Sequence, residues 1–265
     1  MWLLDFLQNL SLTTMFIATL AVGLTLCWIM LAIVRLCIRG SGVDTAVPLP
    51  IRDTLIDSVS AMFALMMAFS AAGIWNDTSQ ANTAVQRESN ALENVLALAR
   101  SLPTDLAEKM REAVNSYARE VLAREWPAMA SKVAIDDPIY ERSDKILVDL
   151  MNTLSVEQSR IASLPTVGPL LGQIVEARSA RLARITLASA GVSLAQWLAM
   201  LMIALGALFT VALCHNHRFG VQALAMNLYT FIGAAAFFVV LAHDRPFVGA
   251  ISVSRAQIAQ LTTAR

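Results

Sequence analysis

Four stretches of the chain are apolar around their whole circumference, and they come as two pairs on either side of a charged, periodic middle. Between Asp5 and Arg35 no residue is charged, an interval longer than the ~20 residues a helix needs to cross a bilayer. The N-terminus lacks a basic lead-in and the run exceeds the hydrophobic stretch of a signal peptide, so it reads as a retained span. The second run, SVSAMFALMMAFSAAGIW over 58–75, is just long enough to cross. It passes into Asn76 and Asp77 with no helix breaker, which predicts a helix continuing beyond the membrane. The third and fourth runs, 185–214 and 219–242, are joined only by HNHR and predict a helical hairpin.

The connection RGSGVDTAVPLPIRD over 39–53 holds glycines and prolines and reads as a loop. The middle, 76–184, is different. Leu106, Met110, Ala113, Tyr117 and Val121 recur at helical spacing while charged residues fill the other faces. Thr104 after Pro103 is a candidate N-cap, Asp137 before Pro138 marks another helix start, and Ser155 with Gln158 has the capping-box spacing. Pro165 and Gly168-Pro169 interrupt the pattern, and a last helix from Leu170 is expected to run through Arg178, Arg181 and Arg184 into the third span. Nothing alternates with the period of a strand. The expected fold is all-α and polytopic: a first span pair over 1–75, an extramembrane helical bundle over 76–184 continuous with membrane helices at both ends, a second span pair over 185–243, and a tail over 244–265.

Composition agrees with lipid as the solvent. Of 265 residues, 57% are hydrophobic and 15% charged, against roughly 25% charged in soluble domains, and the mean hydropathy is +0.59. Twenty basic and twenty acidic residues cancel, so no global field recruits nucleic acid. Cys27, Cys37 and Cys214 lie in or beside apolar runs and form no disulfide framework. Cys214, His215 and His217 come nearest to a metal cluster, but no second cluster stands by, so neither a metal nor a cofactor is expected. The basic residues divide: Arg35, Arg39, Arg52 and Arg218 flank the loops of one side, and Arg87, Arg178, Arg181, Arg184, Arg245 and Arg255 lie on the other. Short loops alone place the bundle outside the cytoplasm; total juxtamembrane charge places it inside.

No Ser-His-Asp, HExxH, P-loop or dinucleotide signature is present, so no enzyme is expected. In the second span, Ser60, Phe63, Met67, Ser70, Ile74 and Asp77 fall on one helical stripe, with Ala61, Ala64, Ala68, Ala71 and Trp75 on a neighbouring one. The small stripe suits close helix packing. The mixed stripe fits either a pore with hydrophobic constrictions or an ordinary core with Met filling gaps. Further on, Arg87, Glu88 and Glu93 are candidates for buried or intersubunit pairing, or for a solvated face. After the fourth span comes LAHDRPFVG, 241–249, where Pro246 stops the helix. His243 is a candidate interface anchor, Phe247 a candidate plug against the base of the bundle, and Asp244 is expected to pair with Arg181, Arg184 or a neighbouring subunit.

Two pieces, the second span running into NALENVLALARSLP and the segment LAHDRPFVGAISVS, resemble the bacterial bestrophin-like membrane family, defined by a domain of unknown function and remotely similar to bestrophin anion channels. The order of two spans, helical insertion, two spans and tail resembles it too. The markers are His243, Asp244, Arg245, Pro246, Phe247 and Gly249. The resemblance implies a pentameric anion channel in the bacterial inner membrane, with the insertion and both termini in the cytosol and the second span of each subunit lining an apolar neck. Carried onto this sequence, the neck is Phe63, Met67 and Ser70, flanked by Ser60 and Ile74. Bestrophins follow their Pro-Phe motif with an acidic, calcium-binding run. Here Val248, Gly249, Ala250, Ile251 and Ser252 follow, so calcium gating is not expected. The expected partners are the lipid bilayer, further copies of the chain and small anions. A membrane-anchored sensor or interaction module is the alternative, and a transporter with a midplane site is disfavoured by the absence of charge within the spans.

Overall fold

In a computed structural model, residues 10–40, 53–215, 218–249 and 251–263 are described. Among them every regular element is helical, and four helices are long and apolar enough to cross a membrane. In chain order they are α1 (Leu12–Gly40), α2 (Asp53–Ala99), α3 (Thr104–Glu120), a π-helical turn (Val121–Glu125), α4 (Trp126–Ala130), a 3-10 turn (Pro138–Tyr140), α5 (Glu141–Val156), α6 (Gln158–Ile161), α7 (Val167–Ala188), α8 (Leu194–Cys214), α9 (Phe219–His243) and α10 (Ala256–Leu261). The expected loop over 39–53 and His217 lie largely or wholly outside the described residues.

The chain divides into two compact units. The first comprises the residues up to Trp75, Gly191–Asp244 and Gly249–Ile251 and contains the four apolar segments. Lipid tails are as apolar as leucine, so close packing rather than the hydrophobic effect must hold such helices together. α1 and α9 approach at Gly23, where an added Cβ would stand 3.1 Å from Thr230 Cγ2 and 3.7 Å from Ala234 Cβ. Phe16 packs edge-on against Phe231 and Phe238, at 6.4 and 5.3 Å. Near the other end of α1, Arg35 Nε donates to Gln222 Oε1 at 2.8 Å, its guanidinium lies 5.1 Å from the Phe219 ring centre, and Gln222 Nε2 donates to Ala212 O.

The second unit comprises Asn76–Ala190, Arg245–Val248 and Ser252–Arg265. Its core is Leu92 and Val95 of α2, Leu106, Met110 and Tyr117 of α3, Leu147 and Leu154 of α5, and Ile174 of α7. Each such side chain, taken from water, contributes about 1.5–3 kcal/mol. The buried stripe of α3 is Leu106, Met110, Val114, Tyr117 and Ala118; Ala113, expected within it, is only half-buried. Ile258 and Leu261 of the short α10 join the same core, and Ser89 of α2 donates to Gln257 O at 3.2 Å.

The helix continuing from the second span is present, as 47 unbroken residues of α2. Asp137 caps as expected, its carboxylate accepting from Ile139 N at 2.9 Å. Three expectations are corrected. Pro103 holds the cap position of α3 and Thr104 is already helical. Ser155 lies inside α5, where its hydroxyl donates to Met151 O, because the helix runs on past the cap spacing. Finally, the last bundle helix does not run into the third span. α7 ends at Ala188 and α8 starts at Leu194, although 185–214 carries no charge to mark the break.

Local chemistry enforces that break. Gly191 has φ 149°, a conformation side chains rarely adopt. A capping box follows: Ser193 Oγ accepts from Gln196 N at 3.3 Å and Gln196 Oε1 accepts from Ser193 N at 2.9 Å. A Cβ on Gly191 would stand 2.9 Å from Asp244 O, so both backbone conformation and space exclude one. Gly191→Ala is expected to cost about 1–3 kcal/mol and lower the Tm of the detergent-purified protein by roughly 2–8 °C. An unchanged melt would remove this turn as a structural determinant.

Candidate functional site

The span part of α2 carries the residues singled out for a pore. Phe63, Met67, Ser70 and Ile74 are buried, and Phe63, Met67 and Ile74 pack with Met200 of α8 and Val240 of α9. Phe63 meets Phe237 at 5.9 Å, and Ser70 Oγ donates to its own helix at Met66 O. Ser60 is half-buried, with Tyr229 Oη donating toward its Oγ at 3.4 Å. Asp77, half-buried, belongs to the second unit. The stripe with mixed hydroxyl and bulky groups therefore faces the chain's own helices. The opposite face is open: Ala61, Ala64, Ala68 and Ala72 alternate along it with Met62, Leu65 and Phe69, and Phe69 is 68% exposed. Both faces are largely apolar in sequence, and Ser60 and Ser70 on one of them do not by themselves decide which is covered; packing does.

The segment after α9 is fastened residue by residue. In the first unit, His243 Nδ1 lies 2.9 Å from Val239 O and its ring stacks on Trp75 at 6.4 Å. Asp244 Oδ1 accepts from Val192 N at 2.6 Å, which holds the turn at Gly191. In the second unit, Arg245 Nη2 donates to Ala130 O at 2.8 Å, and Pro246 O accepts from Val253 N at 2.7 Å. Phe247 meets Trp126 perpendicularly at 5.5 Å. Gly249 has φ 85°, the left-handed conformation that glycine allows. The arginines expected to pair with Asp244 are bonded to other carboxylates, described next.

Sequence reading gave no partner to Glu88 and did not single out Glu125, yet these two anchor a buried charge network within the second unit. Arg184 of α7 is 0% exposed, as are Glu88 of α2 and Glu125 at the end of the π-helical turn. Arg184 Nε donates to Glu88 Oε2 at 2.6 Å, and Nη2 donates to Glu88 Oε1 at 3.0 Å and to Glu125 Oε2 at 2.7 Å. Arg181 Nε and Nη2 donate to Glu125 Oε1 at 2.9 and 2.5 Å, and Nη2 also donates to Tyr140 O. Tyr117 Oη donates to Glu88 Oε1 at 2.6 Å, and Ser143 Oγ donates to Glu125 Oε1. At the margin Arg178 grips Asp144 through two bonds of 2.8 Å. All four oxygens of the two buried glutamates thus accept a bond, which such burial requires.

The π-helical turn Val121–Glu125 re-aims the chain, since an i→i+5 turn rotates the following side chains relative to an α-helix. Glu125 and then Trp126 turn inward together, and the Trp126 ring lies 5.8 Å from the Arg184 guanidinium carbon. No periodicity in the sequence signals such an insertion. The nearest signal was the row of Arg178, Arg181 and Arg184 at three-residue spacing along α7.

Burial pushes the Glu125 carboxyl up, but Arg184, Arg181 and the Ser143 hydroxyl outweigh it and hold it below the ordinary carboxylate range. Burial and the Glu88 charge raise the Tyr117 phenol well above its usual value. Hydrogen bonds from Arg178 hold Asp144 low. With depressed folded values, Glu125 and Asp144 contribute stability that is present above the unfolded carboxylate pKa of ~4 and is lost as pH falls through the folded values. The Tm is expected to stay level from pH 7 to about 5.5 and fall steeply below about 4, as read by melting across that range. Arg184→Met leaves two buried carboxylates short of charge and is expected to cost about 3–5 kcal/mol, read by the same melt; Arg178→Met, at the exposed margin, is expected to cost under about 1 kcal/mol.

Among the described residues no group of three His, Cys, Asp or Glu is placed to hold a metal ion. The sequence model of the bestrophin-like domain matches residues 17–258. No curated protein sequence matches the chain. Among solved structures, a variant of a bacterial bestrophin homologue from Klebsiella pneumoniae superposes with a TM-score of 0.68 at 14% identity, covering 96% of both chains. A second variant gives 0.67 at 13% identity, covering 94% of this chain and 96% of that one. A structure described as a membrane protein gives 0.68 at 14% identity over the same shares. At these identities the likeness is one of fold.

Proposed function

The chain belongs to the bestrophin-like domain family, and from that premise we propose that it forms an ion-permeable pore as a homo-oligomer in the bacterial inner membrane, with anions of the chloride class as the permeant species. The observation that carries this reading is the open apolar face of α2. A span whose exposed side alternates alanines with Leu65 and Phe69 allows copies to approach closely through the small residues while the bulky ones narrow the space between them. Five copies, the number the bestrophin resemblance implies, would set five such faces around one axis.

In this reading Leu65 and Phe69, one helical turn apart, form the constriction, and Ala61, Ala68 and Ala72 make room beside them. Phe63, Met67, Ser70 and Ile74 back the wall, because their own chain already covers them. Catalysis has no part in the proposal.

Recordings from purified protein in planar bilayers test it. Wild-type protein is expected to conduct in symmetric chloride, with a reversal potential in a salt gradient on the anion side. Phe69→Ala and Leu65→Ala are expected to raise single-channel conductance several-fold by removing apolar bulk from the narrowest part, while Met67→Ala lowers thermal stability with little change in conductance. Silence of the wild type and both wide variants in every salt overturns the pore and favours an interaction module. Conductance altered by Met67→Ala but not by Phe69→Ala returns the lining to the covered stripe.

A further inference from the structure

The first unit holds an apolar groove of about 400 Å³ among α1, α8, α9 and the Phe63 side chain of α2, within the ~300–1,000 Å³ of ligand pockets. One wall is a continuous stripe of α8, Leu194, Trp197, Leu198, Leu201, Leu205 and Leu208, recurring at i, i+3 and i+4. From the first to the last of these the groove runs about 21 Å along the helix at 1.5 Å per residue. Its floor is aromatic: Trp197 stacks on Phe237 at 6.2 Å, and Phe237 meets Phe63 at 5.9 Å. The remaining wall comes from Val22, Gly23 and Leu26 of α1 with Gly233, Ala234 and Leu241 of α9.

We propose that this groove is a lipid-binding site that takes an acyl chain of a membrane phospholipid, entering from the end of the spans marked by Leu194 and Leu241. Three observations select that occupant. The lining is apolar along its length, with Thr19, Tyr229 and Thr230 the polar exceptions, so a charged or sugar-like ligand would forfeit its hydration without replacement bonds. The groove lies along the spans for about 21 Å at 1.5 Å per residue, a length and direction that suit an extended hydrocarbon chain lying parallel to the helices. The lining elements are all candidate membrane spans, and acyl chains are what surrounds such helices in a bilayer. Leu194, where the groove begins, directly follows the Ser193 cap that starts α8, so a chain lying in the groove leaves its headgroup at a helix end, at the depth where headgroups lie.

Gly233 provides the test, because a Cβ added there would meet no atom within 4 Å: it looks into the open groove, and a larger side chain fills the space without displacing protein. Native mass spectrometry of protein purified in a mild detergent is expected to show phospholipid retained by wild type and lost from Gly233→Leu. Adding 1-palmitoyl-2-oleoyl phosphatidylglycerol, or the matching phosphatidylethanolamine, to delipidated protein is expected to raise the Tm of wild type and not of Gly233→Leu. Leu198→Trp, at the exposed lip, is a second block should the first variant fold poorly. Equal response to both headgroups supports recognition through the chain; a response to phosphatidylglycerol alone, unchanged by either block, overturns the proposal in favour of a headgroup site elsewhere. Equal lipid retention by wild type and two cooperatively melting variants overturns it, as does a change of oligomeric order in the variants, which would make the groove a seat for another copy. None of these outcomes depends on conductance.

Discussion

Charge buried without water constrains the second unit more than any other feature. Removing Arg184, Glu88 and Glu125 from solvent costs several kcal/mol per ion, and that cost is offset only if each carboxylate oxygen and guanidinium nitrogen finds a partner at bonding distance. The requirement reaches across five elements. α2 must present Glu88, the π-helical turn must present Glu125, α7 must present Arg184 and Arg181 one turn apart, and Tyr117 and Ser143 must supply hydroxyls from α3 and α5. A slip of one residue in any of these helices would rotate a charge by about 100° and strand its partner. A network of this kind specifies register more than it adds stability, since an apolar replacement of the whole set could be as stable.

The network also explains features near it. Trp126 turns inward with Glu125, covers the Arg184 guanidinium and offers its edge to Phe247, so the segment after the last span closes over the same centre that the charges organise. Phe247 is a plug in this limited sense, seated on one tryptophan of the bundle. Asp244 works differently. Its carboxylate accepts from the Val192 amide and so holds the turn at Gly191 between α7 and α8, a local backbone task.

In the membrane unit the constraints are steric. Helices that meet in lipid gain from contact and little from exclusion of water, so a glycine at the α1–α9 approach and the bulky side chains Phe63, Met67 and Met200 decide how the spans fit. The same packing leaves one side of α2 exposed and an apolar groove among α1, α8 and α9.

Much of this was readable along the chain. Lengths of uncharged sequence determined four spans, helical spacing determined the amphipathic α3, the absence of a breaker after Trp75 determined the extended α2, and LAHDRPFVG marked the family. Each of these depends on nearest neighbours or on solvent, and both are written locally. Three things were decided only by the tertiary structure. The break between α7 and α8 rests on a glycine conformation and a carboxylate 52 residues away. The pairing of Glu88 with Arg184 spans 96 residues. The covered face of the second span was chosen by α8 and α9, because a helix largely apolar all round carries too little asymmetry of its own to say which side its neighbours will take.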